Sequence, residues 1–181
     1  MKDQLRIAVF TIVEGATLVI WLALARGAAN IGSMLAALAV LVVGFTIEHF
    51  VAYNVIHNRG LFELQGLPIG QKAVVSLIES AIWAVWLVLA GLNAILAAVV
   101  LTGLLVVEHT LSDNVFKGRG LFSKLLDVRT AGFSLIEAVG AGIWLALAEA
   151  NMAVLGIVIL VAASFIEHTL AVALGRKQTV L

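Results

Sequence analysis

Cysteine is absent from the 181-residue chain, and proline occurs once, at Pro68. The lack of cysteine excludes disulfides, thiolate metal sites and thiol catalysis. A single proline leaves long stretches of the chain free to form continuous helices. Charged residues are also scarce: they make up 12% of the chain, and eleven basic and eleven acidic side chains cancel to a net charge of zero. Because no net positive charge attracts nucleic acid, we expect no nucleic-acid partner.

Apolar side chains dominate the remainder. They make up 62% of the residues, and the mean hydropathy is +1.13. A soluble domain of this size needs more polar surface to cover its core. The apolar runs are about 20 residues or longer, enough to cross a hydrocarbon core of about 30 Å at 1.5 Å per residue. The composition predicts a single all-α integral membrane domain over residues 1–181, with the lipid bilayer as its surroundings.

Three similar segments recur along the chain. Each begins with a glutamate followed seven residues later by a tryptophan: Glu14 and Trp21, Glu79 and Trp86, Glu137 and Trp144. A short turn and a second apolar run follow, and each second run ends in a Glu-His dipeptide: Glu48-His49, Glu108-His109 and Glu167-His168. Recurrence at such an interval indicates an internal repeat. We predict three tandem two-helix repeats, at about residues 6–62, 72–122 and 130–177, packed as a pseudo-threefold bundle.

The repeats predict six transmembrane helices, over residues 6–25, 31–57, 72–90, 94–116, 130–148 and 152–175. Ten of the eleven Lys and Arg residues fall on the side of the termini and the two long connections, and only Arg26 falls on the other side. The positive-inside rule places that side, and with it both termini, in the cytoplasm. The pseudo-threefold arrangement closes within one chain, so a monomer is consistent with it, and the oligomeric state stays open.

The repeated glutamates and histidines fall at one depth of the bilayer. Glu14 lies about eight residues from the start of its helix and Glu48 about nine from the end of the next, so both lie roughly 12–14 Å inside. An acidic side chain near the bilayer centre costs about 2.5–3.5 kcal/mol even on the lenient insertion scale, hence roughly 15 kcal/mol or more for six. These side chains must therefore face one another, a cation or water.

Packing three hairpins around a common axis brings this layer together as a cluster of carboxylates and imidazoles. Protons or bound cations must then neutralise the carboxylates. Carboxylate with neutral imidazole, without sulfur, suits iron, manganese or zinc better than Mg²⁺ or Ca²⁺. We therefore predict a bi- or trinuclear site for two or three of these transition-metal ions. Its predicted ligands are the nine repeated residues: Glu14, Glu48, His49, Glu79, Glu108, His109, Glu137, Glu167 and His168.

The ligand inventory resembles that of ferritin-like dimetal carboxylate proteins. In those proteins two helix pairs each supply one Glu and one Glu-x-x-His motif to a bundle core. Here each hairpin supplies one Glu and one Glu-His dipeptide, such as Glu14 with Glu48-His49. The chain departs from that pattern in its adjacent Glu and His, its third hairpin and its membrane setting. The resemblance implies carboxylate and imidazole ligation of metal, and no particular activity.

Three function classes remain open on these residues. The leading hypothesis is a membrane metalloprotein with redox or oxygen chemistry on a small or lipid-soluble substrate, that is, a metal-dependent membrane oxidoreductase. If the metal is zinc, hydrolytic or structural work is favoured, since zinc has no redox chemistry. The alternative is a proton or divalent-cation transporter or channel using the same carboxylates, although transporters commonly interrupt their helices at the site. The third is a scaffold whose polar groups hydrogen-bond the hairpins to one another.

Aromatic and amide side chains flank the predicted cluster. The three repeated tryptophans are typical of an aromatic belt at the outer interface. Alternatively, seven residues is about 20° short of two full turns, so each indole lies about 10 Å above its glutamate and the three can roof the cluster. Trp83 falls outside the repeat and is predicted to face lipid. Asn54 and Asn114 follow the Glu-His pairs and either line an access path, bond the ligands or cap the helix ends.

Overall fold

The computed structural model describes residues 2–178, and the side chains of residues 3–174. It contains six long helices: α1 Lys2–Arg26, α2 Ile31–Ile56, α3 Ile69–Ala90, α4 Ala94–Phe116, α5 Ala131–Glu149 and α6 Ala153–Gln178. One turn of 3-10 helix, Val128–Thr130, leads into α5. The largest differences from the predicted bounds are at the start of α1, at Lys2 rather than residue 6, at the start of α3, at Ile69 rather than residue 72, and at the end of α6, at Gln178 rather than residue 175. Three of the basic residues used to orient the chain, Lys2, Arg176 and Lys177, have side chains outside the described part.

All six long helices are long and apolar enough to cross a membrane. The shortest spanning segments have 22 residues, about 33 Å at 1.5 Å per residue. That length matches a hydrocarbon core of about 30 Å. Large apolar side chains such as Ile12, Val43 and Val158 are exposed on the outside of the bundle. The prediction of an all-helical protein with six helices able to span a membrane is confirmed.

The helices pack as a ring in chain order. Each helix contacts the next one along the chain, and α6 contacts α1. The most extensive contacts join α1 to α2, α3 to α4 and α5 to α6, and a short turn links the members of each pair into a hairpin. The longer segments 57–68 and 117–130 link one hairpin to the next. We call the end of the bundle that holds these two segments the connection side, and the opposite end the turn side.

Asparagine side chains organise the turns within the hairpins. Asn30 Oδ1 accepts a hydrogen bond from Ser33 N at 2.9 Å, and Ser33 Oγ accepts one from Asn30 N at 3.2 Å. Asn93 Oδ1 accepts one from Leu96 N at 2.9 Å. These bonds satisfy amide groups that a helix start leaves without a partner. In the third turn Asn151 has a left-handed backbone, with φ of 59°. Each turn therefore reverses the chain tightly.

Two glycines bring the helices of a hairpin close together beside the polar residues. Gly44 of α2 lies against Thr17 of α1, and a Cβ on Gly44 would overlap the Thr17 side chain. Gly140 of α5 lies in the same way against Ala163 of α6. Small residues at such contacts are typical of membrane helices. Because Gly44 is one turn from Glu48, this close approach sets the spacing of the two helices where their carboxylates lie.

Two apolar cores lie on either side of a polar layer. The core toward the turn side includes Leu18 of α1 and Phe45 of α2, and the core toward the connection side includes Phe10 of α1 and Val51 of α2. Glu14 lies between Phe10 and Leu18 along α1, and the Glu48-His49 pair lies between Phe45 and Val51 along α2. The ionisable side chains therefore lie in a layer between these two apolar cores.

Candidate metal centre

The structure brings all nine predicted ligands to one cavity. The cavity has a volume of about 100 Å³. The six glutamates are 3–7% exposed and His49 is 4% exposed, while His109 and His168 are half-buried. The odd-numbered helices each supply one glutamate from the middle of the helix, and the even-numbered helices each supply a Glu-His pair.

His49 of α2 contacts carboxylates from three helices. Its Nδ1 lies 3.2 Å from Glu48 Oε2 and 3.6 Å from Glu79 Oε2 of α3, and its Nε2 lies 3.2 Å from Glu108 Oε1 of α4. Ser76 Oγ of α3 lies 3.3 Å from His49 Nδ1. The imidazole of the first hairpin thus lies against both helices of the second.

His109 of α4 repeats this pattern one hairpin further along the chain. Its Nε2 lies 3.5 Å from Glu108 Oε2, 3.3 Å from Glu137 Oε2 of α5 and 3.7 Å from Glu167 Oε1 of α6. Its Nδ1 lies 2.7 Å from Ser134 Oγ of α5. The imidazole of the second hairpin thus lies against both helices of the third.

His168 of α6 closes the series back onto the first hairpin. Its Nε2 lies 3.1 Å from Glu167 Oε2, 3.4 Å from Glu14 Oε2 of α1 and 4.0 Å from Glu48 Oε1 of α2. Its Nδ1 lies 2.8 Å from Thr11 Oγ1 of α1. Each histidine therefore contacts its own neighbour in sequence and both glutamates of the next hairpin.

These contacts sort the glutamates into two classes. Three lie between two histidines each, and we call them the shared glutamates: Glu48, Glu108 and Glu167. The other three contact one histidine each among the described side chains, and we call them the unshared glutamates: Glu14, Glu79 and Glu137. Shared glutamates and histidines alternate around a closed ring of six side chains, and one unshared glutamate flanks each histidine.

A hydroxyl residue precedes each unshared glutamate by three positions, and sequence reasoning missed it. Thr11, Ser76 and Ser134 are the hydroxyl partners of the three histidines. The signal was present as a repeated Thr/Ser-x-x-Glu pattern, which starts three residues before each repeated segment. Residues three apart lie on one side of a helix, so the hydroxyl and the carboxylate can face the same imidazole. At His109 and His168 the hydroxyl at Nδ1 leaves Nε2 free for the carboxylates and orients the ring. His49 Nδ1 lies closer to the Phe45 carbonyl oxygen, at 2.8 Å, than to Ser76 Oγ.

Three of the predicted ligands lie close enough together to share one metal ion. Ligand atoms of Glu48, His49 and Glu79 lie within 4.8 Å of one another, and all three residues are buried. Glu14 Oε2 and Glu79 Oε2 are buried without a hydrogen-bond partner. A buried acceptor without a donor is costly unless a proton or a cation satisfies it. This buried group could therefore hold a metal ion.

The cavity continues from the nine ligands toward the connection side. Its walls there are mainly apolar and include Phe10, Ile56, Phe116, Phe133 and Val172. Charged side chains at its outer end complete the lining: Asp113, Lys117, Asp127 and Arg129. We call this passage the vestibule. The vestibule extends from the cluster to the connection side of the bundle.

Oppositely charged side chains at the outer end of the vestibule form ion pairs. Lys117 donates to Asp113, and Asp127 accepts from Arg129 and, at 2.9 Å, from Lys124 Nζ. The hydrogen bonds from Arg129, followed by that from Lys124, hold the pKa of the Asp127 carboxyl well below its usual range. The outer end of the vestibule is therefore polar without a strong preference for one sign of charge.

On the turn side the cluster is covered by a layer of indoles. Trp21, Trp83, Trp86 and Trp144 are each at most 2% exposed and belong to one apolar core. The belt interpretation of the three repeated tryptophans is therefore wrong, as is the lipid-facing position predicted for Trp83. Trp83 follows Glu79 by four residues, one helical turn, so it points inward on the same face as that glutamate. Trp83 and Trp86 pack edge to face, with ring centroids 5.3 Å apart.

Asn54 and Asn114 hold the two connections rather than the cluster. Both are fully buried. Asn54 Nδ2 donates to the carbonyl oxygens of Leu61 and Glu63 at 3.0 Å, and Asn114 Nδ2 donates to those of Leu121 and Lys124 at 2.9 and 2.8 Å. These two side chains therefore hold the connecting segments against the ends of α2 and α4. Of the predicted alternatives, this role is closest to capping the helix ends.

Comparison of the chain with protein families, with curated proteins and with solved structures finds no match.

Proposed function

We propose that the protein is an integral membrane metalloprotein that holds a bi- or trinuclear Glu/His cluster in the bundle core. The observation that carries this proposal is the closed ring in which each shared glutamate lies between two histidines. A carboxylate between two imidazoles is suited to bridge two metal ions with its two oxygens, whereas a single ion would use far fewer ligands than this ring supplies.

The contacts suggest three metal positions, each named here after its histidine. The His49 position would use Glu79 as its unshared ligand, together with Glu48 and Glu108. The His109 position would use Glu137 with Glu108 and Glu167, and the His168 position would use Glu14 with Glu167 and Glu48. Each position then has one imidazole, one carboxylate of its own and two carboxylates that it shares with its neighbours.

The charge of the cluster supports two or three divalent ions. Six carboxylates enclosed together repel one another strongly when ionised. Two divalent ions balance four negative charges and three balance all six. Hydrogen bonds among the polar groups alone, as in a scaffold, leave Glu14 Oε2 and Glu79 Oε2 without a donor. Metal binding satisfies both requirements at once.

We propose that three tandem helical hairpins form the bundle around a pseudo-threefold axis through the cluster. The same histidine contacts recur at each junction between hairpins, which supports this arrangement. The excess of Lys and Arg on the connection side supports a cytoplasmic location for that side and for both termini. The ring of helices closes within one chain, which is compatible with a monomer.

The metal would determine the chemistry. Carboxylate and imidazole ligands suit iron, manganese or zinc. With iron or manganese, the cluster would support redox or oxygen chemistry, and a small or lipid-soluble substrate would reach it through the vestibule. With zinc, the work would be hydrolytic or structural. The protein's own part is to orient the imidazoles through Thr11, Ser76 and Ser134 and to exclude water on the turn side with the indole layer.

Transport of protons or divalent cations through the bundle is the alternative. It requires a path that continues from the cluster to the turn side. Among the described residues that path is filled by the indole layer together with Leu41, Leu101 and Leu160, all of them fully buried. The continuous helices at the site also favour a fixed cluster over alternating access.

Elemental analysis of detergent-purified protein tests the proposal. The comparison is between the wild type and a variant that carries Glu48→Gln, Glu108→Gln and Glu167→Gln together. We expect two or three moles of one transition metal per mole of wild-type chain, and loss of that metal in the variant. A metal-free wild type, purified without chelators, contradicts the proposal and directs attention to ion flux in liposomes.

A further inference from the structure

Among the described residues, Lys72 is the one charged side chain of the bundle core that the proposed cluster does not use. It lies seven residues before Glu79, in the first turn of α3, and its relative exposure is 0%. Its Nζ has no hydrogen-bond partner. The matching positions of the other hairpins are Ile7 and Thr130, which are also buried but uncharged. A basic side chain therefore occupies one of three otherwise similar places.

Two aromatic rings lie beside the ammonium group of Lys72. Its Nζ lies 3.6 Å from the centre of the Phe116 ring and 5.3 Å from the centre of the Tyr53 ring. Such contacts stabilise a buried cation through the negative faces of the rings. The group also interacts electrostatically with Glu48 and Glu108. Both carboxylates are shared glutamates that belong to the proposed His49 position.

We propose that Lys72 makes the His49 position a labile metal site beside two permanent ones. This inference rests on the proposed metal cluster and assigns a different role to one of its three positions. The labile ion would be a divalent transition-metal cation that exchanges with the surroundings through the vestibule.

One charge accounts for two properties of this position. In the metal-free protein the Lys72 ammonium offsets part of the repulsion between carboxylates, which is consistent with the ligand atoms of Glu48, His49 and Glu79 already lying within 4.8 Å of one another. The same ammonium repels a cation that arrives at that position. The site is therefore assembled in advance and yet holds its ion weakly, a combination that favours rapid exchange.

The charge of the filled cluster supports the same assignment. With Lys72 charged, two divalent ions leave the core with one negative charge, and a third ion leaves it with one positive charge. Burial of net positive charge in a low-dielectric core is unfavourable. Binding of the third ion therefore makes the core positively charged, whereas binding of the first two does not.

Titration of chelator-stripped protein with Zn²⁺ in a calorimeter tests this inference. Zn²⁺ is a suitable probe because it binds sites of nitrogen and oxygen ligands strongly and does not change its oxidation state. The variants are Lys72→Met, which removes the charge and keeps the length, and Lys72→Arg, which keeps the charge. Ile7→Met serves as the control at the matching position of α1.

The wild type and Lys72→Arg should bind two Zn²⁺ ions tightly and a third ion at least 10-fold more weakly. Lys72→Met should bind the third ion at least 10-fold more tightly than the wild type does. That gain corresponds to about 1.4 kcal/mol. Adding His49→Gln to Lys72→Met should abolish the gain, and Ile7→Met should bind like the wild type. Three equally tight sites in the wild type, or an unchanged third site in Lys72→Met, overturn the inference and leave the proposed cluster standing. Absence of any Zn²⁺ binding overturns the cluster itself.

Discussion

Replacing a shared glutamate should remove more metal than replacing an unshared one. Glu167 and Glu137 form a matched pair, because both are 3% exposed and both contact His109. Glu167 also contacts His168, with 3.1 Å between Oε2 and Nε2, whereas Glu137 contacts no second histidine among the described side chains. Glu167→Gln therefore alters two metal positions, and Glu137→Gln alters one. Each change keeps the size of the side chain and removes one negative charge.

The expected size of the effect follows from the number of positions touched. Loss of a residue that only supports a metal ligand costs roughly 10–100-fold in metal affinity. A lost ligand should therefore cost at least about 100-fold at each position it serves, or about 2.7 kcal/mol. On this basis Glu137→Gln weakens one tightly held ion by that amount, and Glu167→Gln weakens two. The positions affected are the His109 and His168 positions. The His49 position, which uses both Glu48 and Glu108 beside Lys72, is not affected by either change.

The assay is the metal content that survives gel filtration of metal-loaded protein. Glu167→Gln should retain about one ion fewer per chain than Glu137→Gln. Glu149→Gln is the control, because Glu149 pairs with Arg26 at the surface, 3.3 Å away, and does not line the cavity. Equal losses in Glu167→Gln and Glu137→Gln would refute the division into shared and unshared glutamates, even if both variants bind less metal than the wild type.

Three further predictions concern packing, pH and access. Gly44→Ala should lower the free energy of unfolding by about 1–3 kcal/mol, because the added methyl group overlaps α1. Gly103→Ala should raise it by about 0.5–1 kcal/mol, because a Cβ at Gly103 meets open space. Thermal unfolding in detergent checks both changes, and equal shifts contradict the close helix contact. Because the folded-state pKa of Asp127 is lowered, its full contribution to stability is present above its unfolded pKa of about 3.9 and declines progressively as the pH falls from there through the lowered folded-state pKa. The difference in melting temperature between the wild type and Asp127→Asn should therefore become smaller from pH 6 to pH 3, and a constant difference contradicts the ion pairing. The chain has no cysteine, so single cysteines can be labelled specifically. Ala171→Cys in the vestibule should react with a membrane-impermeant thiol reagent from the connection side only, and Ala97→Cys in the turn-side core should react from neither side. Labelling of Ala97→Cys argues for a path through the bundle.

Hydropathy was sufficient to predict the six helices, because a membrane span must be long, apolar and internally hydrogen-bonded. Helix ends were harder to predict. The polar start of α1 remains helical back to Lys2, since helix geometry does not require apolar residues once the chain leaves the hydrocarbon. Similarly, α3 begins at Ile69, directly after Pro68, a place where proline suits the start of a helix better than its interior. Local composition does not distinguish these extensions from loops.

The candidate ligands were also predictable, because ionisable residues in apolar runs are expensive and their repetition is easily seen. Their partners were not. Which glutamate each histidine contacts depends on how neighbouring hairpins meet, and Thr11, Ser76 and Ser134 gain their significance only from that packing. Lys72 was grouped with the basic residues of the helix ends, where lysine usually reaches toward water. Its burial against Phe116 depends on contact between α3 and α4, which one helix alone does not reveal.

X-ray absorption spectroscopy on metal-loaded wild-type protein, at the edge of the metal that elemental analysis identifies, tests the central claim most directly. The account predicts a first shell of oxygen and nitrogen only, outer-shell scattering from imidazole, and a metal–metal distance of about 3.5–4 Å, as in carboxylate-supported sites with two ions. Isolated metal ions without a metal–metal signal in fully loaded protein would contradict a bi- or trinuclear cluster bridged by the shared glutamates.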